Sequence, residues 1–301
     1  MSLPQVEVLM STYNGQKYLN EQVSSILSQK DVDVSLLVRD DGSSDQTTVM
    51  LDEYQQRGLL RWYTGENLRP ARSFLHLLSH AGPFDYYAFS DQDDYWKPEK
   101  LAAAVERLRE FSGVPALYFC QTQLADSQLN PIDTPHIHPL LTFGESLVYQ
   151  FVGGCTMVMN ARLRDIVCKY IPDYLPMHDV WIYVVSLGVG AKVVFDSEPH
   201  ILYRQHGGNV VGQGFGWQTA WKRRFDRIVR NKEHVRYCLA KEVQTGFSKL
   251  ITDNNRPILE KFLAGRHSLW SRLSLLTDSD YLCGNHYVYR NFQVSVLLNT
   301  Y

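Results

Sequence analysis

Ser90-Asp91-Gln92-Asp93-Asp94-Tyr95-Trp96 follows directly on a short apolar run, Tyr86-Tyr87-Ala88-Phe89. On an extended backbone, residues two apart point to the same side, so the carboxylates of Asp91 and Asp93 can face one ion. Hard divalent cations such as Mg²⁺ or Mn²⁺ take such oxygens and usually share them with substrate phosphates. An isolated acidic pair of this kind is more often a turn that closes a strand. Its meaning is therefore set by what surrounds it.

Upstream, the chain repeats one plan. Val6-Glu7-Val8-Leu9-Met10 reads as a strand that ends in the turn-rich Ser11-Thr12-Tyr13-Asn14-Gly15. Tyr18, Leu19, Val23, Ile26 and Leu27 then fall at helical spacing. Val34 to Val38 gives a second strand, leading into Arg39-Asp40-Asp41-Gly42-Ser43-Ser44-Asp45. Asp45 or Ser44 is placed to cap a helix that runs to about Arg57 and stops at Gly58. Leu60 to Tyr63 reads as a third strand, and Pro70 to His80 as a helix. In Lys97-Pro98-Glu99, Pro98 suits the first position of the helix that follows.

Strand and helix in alternation predict an α/β domain around a mainly parallel sheet. Ligands of such sheets bind beyond the carboxyl ends of the strands. Thr12-Tyr13-Asn14, Asp40-Asp41 and Asp91-Gln92-Asp93 all fall at such ends. The sequence holds no G-x-x-x-x-G-K-[ST] loop, and no G-x-G-x-x-G follows the first strand. A nucleotide bound here would have its diphosphate held by a metal rather than by a glycine cradle.

Val8 to Asn14, Asp40-Asp41-Gly42-Ser43-Ser44-Asp45 and Ser90 to Asp94 resemble the opening motifs of glycosyltransferase family 2. Members of that family are inverting, metal-dependent enzymes of the GT-A fold that use nucleotide-sugar donors. The resemblance extends to about residue 212, roughly two-thirds of the chain. It implies a nucleoside pocket lined by Thr12, Tyr13, Asn14 and Asp41, with Asn67 and Arg72 in the next donor-binding segment. It assigns Asp91 to the ribose or the metal shell and Asp93 to the metal. Asp41 admits a plainer reading as a helix-capping group, and Asp94 one as a turn residue.

Two downstream stretches extend the resemblance. Phe151 to Asn160, with Gly153, Gly154 and Cys155, is similar to the segment that brings the acceptor against the donor sugar. Two glycines let backbone approach a ligand, and they also simply make turns. In Met177-His178-Asp179-Val180-Trp181, Asp179 matches the family's catalytic base, and His178 stands where a Glu or Asp is common. Inverting transfer needs a base for the acceptor hydroxyl, and a carboxylate within hydrogen-bond reach contributes about 10²–10⁴-fold. In Tyr203-Arg204-Gln205-His206-Gly207-Gly208-Asn209, His206 matches a metal-ligand position and Arg204 is suited to the diphosphate. Imidazole with carboxylate favours Mn²⁺ somewhat over Mg²⁺. Taken together, these motifs resemble a bacterial rhamnosyltransferase-like subgroup that builds surface polysaccharides. That implies dTDP-L-rhamnose as donor, with a UDP-hexose as the alternative, and a saccharide acceptor that can be lipid-linked.

Composition limits the remaining readings. With 45% hydrophobic and 21% charged residues the chain is ordinarily globular, and a net charge of −2 carries no nucleic-acid signal. The five cysteines lack C-x-x-C spacing, which fits a reducing cytoplasm. No apolar run reaches the ~18–20 residues that span a bilayer. The expected division is a GT-A nucleotide-sugar-binding and catalytic domain over residues 1–213 and a helical C-terminal region over 214–301. Residues 217–232 interleave Trp217 and Trp221 with Lys222, Arg223, Arg224, Arg227, Arg230 and Lys232. That pattern suits either an interfacial helix on the inner leaflet or a helix packed on the catalytic domain. Residues 258–276 and 287–298 read as two more helices, packed together or forming a homodimer contact. Two other readings of the chain are a sugar-1-phosphate nucleotidyltransferase and a non-catalytic nucleotide-sugar-binding subunit.

Overall fold

The structure is a computed structural model that describes residues 2–205 and 234–301. His206 and the 217–232 segment, and with them the 213/214 boundary, lie outside the described residues. Strand β1 (Gln5–Thr12) leads to α1 (Leu19–Leu27), β2 (Asp33–Asp40) to α2 (Thr47–Gln56), and β3 (Arg61–Thr64) to α3 (Arg69–His80). Next come β4 (Tyr86–Ser90), β5 (Tyr95–Trp96), α4 (Lys100–Arg109), β6 (Ala116–Cys120) and β7 (Gln123–Ala125). They are followed by α5 (Phe143–Val148), β8 (Val158–Asn160), α6 (Ala161–Val167), α7 (His178–Gly188), β9 (Lys192–Asp196) and β10 (Ile201–Arg204). The C-terminal helices are α8 (Val235–Phe247), α9 (Asn255–Ala264), α10 (Leu269–Ser274) and α11 (His286–Leu297).

The central sheet has seven strands in the order β3-β2-β1-β4-β8-β6-β9. β3, β2, β1 and β4 run parallel, β8 is antiparallel to both of its neighbours, and β6 and β9 are parallel. The expected mainly parallel α/β sheet is therefore the observed one. Alternation along each strand divides the core in two. Val6, Val8 and Met10 of β1, with Tyr86 and Ala88 of β4, pack on one face under α1 and α4. Leu9, Tyr87 and Phe89 pack on the other, against α3 and α7. Leu239, Val243, Leu259, Phe262, Phe292 and Tyr301 of the C-terminal helices join that second face. These helices therefore share a hydrophobic core with that face of the sheet.

Local signals account for most boundaries. Gly58, at φ +70°, ends α2 in the left-handed region where glycine has no penalty. The N-cap of α2 is Gln46, and Asp45, one residue before it, accepts from the Thr47 amide at 3.0 Å. Two expectations need correction. Pro98 lies ahead of α4, in a turn where the Lys100 amide donates to the Lys97 carbonyl at 3.1 Å, so the helix begins at Lys100. The helix expected over 258–276 is two helices, α9 and α10, separated at residues 265–268. A Cβ at Gly265 would sit 2.7 Å from Leu275 Cδ1 and as near Tyr301, so the chain turns there on a residue without a side chain.

Candidate active site

Register brings the ends of β1, β2 and β4 level: Thr12 lies opposite Asp40, and Met10 opposite Ser90. The loops that leave them are stitched together. Asn14, in the left-handed region at φ 50°, accepts from the Ser44 amide at 2.9 Å and donates its own amide to Ser43 Oγ at 2.8 Å. The Gly15 amide donates to Thr47 Oγ1 at 2.8 Å. Asp40, fully buried, accepts from Thr12 Oγ1 and from the amides of Gly42 and Ser43 at 2.8–3.1 Å. It organises the second loop, a role that the sequence reading passed over in favour of its neighbour.

That neighbour faces the other way. Asp41 is buried, ion-paired with Arg39, and accepts from Ser73 Oγ at 2.9 Å and from the Leu68 amide at 3.1 Å. Arg39 also donates to the Glu66 carbonyl at 2.8 Å. Asp41 therefore ties the segment that carries Asn67, just ahead of α3, to the end of β2. Asn67 is exposed and accepts from the Arg69 amide at 3.0 Å. Arg72 is exposed and donates to the Asp173 carbonyl at 2.9 Å. Tyr13 presents an exposed ring at the mouth of the site.

The third loop is pinned to the first by Gln92, to which the sequence motifs assign no role. Its amide group accepts from the Tyr13 N–H at 2.9 Å and donates to the Tyr13 carbonyl at 3.1 Å. A Cβ on Gly15 would lie 2.8 Å from Gln92 Cδ, so this clamp needs glycine at 15.

Asp91, Asp93 and Asp94 concentrate negative charge behind that clamp. Burial, with the like charges of Asp93 and Asp179, pushes the Asp91 carboxyl up to about 7. Burial raises Asp94 as well. Asp94 Oδ1 accepts from the Arg204 amide at 3.1 Å, while Oδ2 is buried without a hydrogen-bond partner. Among the described residues, Asp91, Asp94 and Cys155 bring ligand atoms within 4.8 Å of one another. Burial holds the Cys155 thiol protonated, well above its usual range. Lys100 closes the back of this pocket, its ammonium 3.3 Å from the centre of the Trp96 ring. Arg204 is buried and turned inward. It donates to the Asp93 carbonyl at 2.8 Å and the Ser127 carbonyl at 2.6 Å, and pairs with Glu21. The guanidinium expected at a diphosphate grips the acidic loop from behind.

Asp179 stands in the first turn of α7 and reaches the same site. Its Oδ2 accepts from the Gly154 amide at 2.9 Å and its Oδ1 from the Val180 amide at 2.7 Å. Each carboxylate oxygen has a second lone pair, so an incoming hydroxyl can still be received. Gly153, Gly154 and Cys155 enter a single 3₁₀ turn, closed by Thr156 Oγ1 donating to the Gly153 carbonyl at 2.7 Å. His178 is buried, stacked on Phe74 at 4.1 Å and edge-on to Phe89 at 5.1 Å, and both ring nitrogens lack partners. Burial lowers its pKa, so it is neutral near pH 7. A Cβ on Gly154 would strike His178, 2.8 Å from Cε1 and nearer to Nε2. Trp181 is wholly buried in the core between Tyr170 and Phe247.

The structure thus unites Thr12, Asn14, Asp91, Asp93, Cys155, Gly154 and Asp179 at one end of the sheet, and places Asp41, Arg204 and Trp181 as supports. A family model for glycosyl transferase family 2 matches residues 7–163, more than half of the chain. The chain belongs to glycosyl transferase family 2. It is an enzyme, a glycosyltransferase, and the nucleotidyltransferase and binding-subunit readings fall away. It is 28% identical over 245 residues to the dTDP-rhamnosyl transferase RfbG of Shigella flexneri, covering 74% of this chain and 80% of that one. It is 22% identical over 217 residues to an uncharacterized glycosyltransferase of Rickettsia typhi, covering 67% and 64%. In fold, this glycosyltransferase is similar to residues 1–349 of S. aureus TarS in complex with UDP, with TM-score 0.56, 18% identity and 99% and 92% coverage. The mannosyltransferase PcManGT of Pyrobaculum calidifontis, in complex with GDP-Man and Mn²⁺, gives TM-score 0.53 at 18% identity, covering 100% and 81%. The GT-A architecture expected from the motifs is the one present.

Proposed function

We propose that this glycosyltransferase transfers a sugar from a nucleotide-sugar donor to a saccharide hydroxyl with inversion, Asp179 acting as base. The observation that carries the reading is the placement of Asp179: anchored on the 153–156 turn, it acts electrostatically on Asp91 of the acidic loop. A base beside the donor-binding carboxylates is what single displacement requires. Thr12, Tyr13 and Asn14 would receive the nucleoside, with Asn67 and Arg72 at its edge. The complexes of TarS with UDP and of PcManGT with GDP-Man support a nucleotide-linked donor. The likeness to RfbG supports dTDP-L-rhamnose and a role in bacterial surface polysaccharide synthesis, ahead of a UDP-hexose.

A divalent cation fits the site. Burial and two neighbouring anions hold the Asp91 carboxyl near 7, a balance that a bound cation would reverse. Asp91 and Asp93 would hold it by hard oxygen donors, with His206 as the further ligand that the motif implies, and Mn²⁺ or Mg²⁺ suits this set. When bound, the ion supplies charge neutralisation for the departing nucleoside diphosphate. This chain's residues do the rest: Gln92 holds the pocket wall, Asp179 receives the acceptor proton, and His178 and Gly154 keep Asp179 in place. Among the described residues no helix is long and apolar enough to cross a membrane. From the sequence pattern of Trp217 and Trp221 with the basic residues up to Lys232, we propose in addition peripheral docking of residues 217–232 on the inner leaflet near a lipid-linked acceptor.

Thermal-shift titration with dTDP, UDP and GDP, each with and without Mn²⁺, tests the reading. Selective binding adds about 2.7 kcal/mol at a hundredfold excess over Kd. A Mn²⁺-dependent shift favouring dTDP supports rhamnose transfer, and a UDP preference replaces the sugar while keeping the chemistry. No shift with any nucleotide overturns the donor assignment.

A further inference from the structure

Helix α3 ends in two histidines that the reaction outlined above does not use. His76 and His80, at i and i+4, lie on one side of the helix. Their rings stack nearly parallel, 9° apart in plane with centroids 4.0 Å apart. Each ring is oriented through Nδ1. His80 Nδ1 donates to the His76 carbonyl at 2.8 Å and lies 3.0 Å from Ser79 Oγ. A carbonyl only accepts, so the proton of the neutral His80 ring sits on Nδ1 and the free lone pair on Nε2. His76 Nδ1 lies 3.0 Å from the hydroxyl of Tyr63 on β3, which is able to accept from it. Among the described residues neither Nε2 makes a hydrogen bond. His80 is exposed and His76 half-buried, so the pair opens to solvent.

We propose that His76 and His80 form a site for a borderline divalent transition ion, Zn²⁺ or Cu²⁺, with Tyr63 orienting His76 and water filling the open positions. Two histidines at i and i+4 of one helix are a recurrent ligand pair. Metal-binding imidazoles ordinarily pass their other N–H to an oxygen acceptor, which Tyr63 and the His76 carbonyl provide here. Nitrogens that share one ion at about 2.0–2.1 Å lie about 3 Å apart. Rings 4.0 Å apart reach that by a small swing of the exposed His80. The charge of Arg39, which acts on His76, is balanced by its ion pair with Asp41. Imidazole selects this class of ion, whereas the carboxylates of the acidic loop suit Mn²⁺ or Mg²⁺. The two sites therefore sort different metals. An ion held by His76 and His80 ties the last turn of α3 to β3, the outermost strand of the central sheet.

The test is calorimetric titration of untagged, metal-stripped full-length protein with Zn²⁺ and with Cu²⁺, with the Cu²⁺ complex also read by electron paramagnetic resonance for nitrogen ligands. Wild type should bind with nitrogen coupling in the spectrum. His80→Ala and His76→Ala should each weaken binding about tenfold or more. Tyr63→Phe, which removes the hydroxyl behind His76, should weaken it about tenfold. Asp93→Ala, which strikes the Mn²⁺ site of the proposed function, should leave this binding unchanged, so the two metal readings fail separately. If His76→Ala does not fold, His80→Ala, at an exposed position, decides. A wild-type Kd weaker than about 1 mM for both ions overturns the site, as does a His80→Ala affinity within about twofold of wild type. Binding lost in Asp93→Ala but kept in His80→Ala assigns the ion to the acidic loop and refutes the proposal. A Tyr63→Phe affinity equal to wild type removes Tyr63 from the site.

Discussion

Gly154→Ala tests how the base is held. The added Cβ would lie 2.8 Å from His178 Cε1 and 3.5 Å from Asp179 Cβ, so one side must give. If His178 moves, it loses two ring contacts, with Phe74 at 4.1 Å and Phe89 at 5.1 Å. Such contacts are worth about 0.5–1.5 kcal/mol each. If the turn moves, the hydrogen bond from the Gly154 amide to Asp179 Oδ2 is lost. A hydrogen bond to a charged group contributes about 1.5–3 kcal/mol. Neither route is cheap, so unfolding in urea should show a loss of about 1–3 kcal/mol, within the usual range for overpacking. Kinetics separates the routes: displacement of the turn lowers kcat and leaves nucleotide affinity unchanged, because Asp179 does not touch the nucleoside loops. In a His178→Ala background the ring is gone and the same Gly154→Ala change should cost less by about 1 kcal/mol or more. An equal penalty in both backgrounds would refute the packing argument.

Asp41→Asn removes the charge that Arg39 pairs with in a buried setting. It should destabilise the fold by about 3–5 kcal/mol in chemical denaturation; a loss below about 1 kcal/mol would mean that Arg39 finds other partners. Gln92→Ala deletes both hydrogen bonds to Tyr13 and should weaken nucleotide binding by about 1–3 kcal/mol in calorimetry. Asp91 gives a pH signature. Its carboxyl is held up to about 7, above the ordinary carboxylate value, so its ionisation favours the unfolded chain. Metal-free protein therefore loses stability from this group as pH rises from about 4 to 7, whereas Mn²⁺ affinity falls by up to about tenfold per unit below 7. A Mn²⁺ affinity that is flat with pH over that range would remove Asp91 from the metal site.

The parts of this enzyme legible in the sequence are those where one local signal carries the answer. Val6 to Thr12 and Tyr86 to Ser90 are apolar runs that end in polar loops, and Gly58 stops α2 by its φ alone. The helix that Asp179 opens was legible as an apolar run from Val180, while the part given to Asp179 itself came from the family motif and not from a local signal. What stayed hidden depends on side-chain direction, set by partners far along the chain. Arg204 is a phosphate-type residue by chemistry, yet it turns inward because Glu21, 183 residues away, and the Ser127 carbonyl meet it there. Cys155, expected in the acceptor segment, is brought beside Asp91 and Asp94 only by the 153–156 turn, which spacing along the chain does not show. The small sheet β5-β10-β7 escaped as a unit because strands of two to four residues show no periodicity. Gln92 had a signal after all: a polar side chain between two aspartates, opposite a loop glycine at 15 that has no other need to be glycine.

The division of labour between Asp93 and Asp179 is the centre of this account. It is tested by measuring, on the same preparations, nucleotide binding in Mn²⁺ and release of nucleoside diphosphate from the donor in the presence of acceptor. Asp179→Asn should bind nucleotide as wild type does and lose transfer by about 10²–10⁴-fold, while Asp93→Ala should lose the Mn²⁺-dependent binding itself. Equal loss of nucleotide affinity in both variants, or an Asp179→Asn enzyme that turns over like wild type, would contradict it.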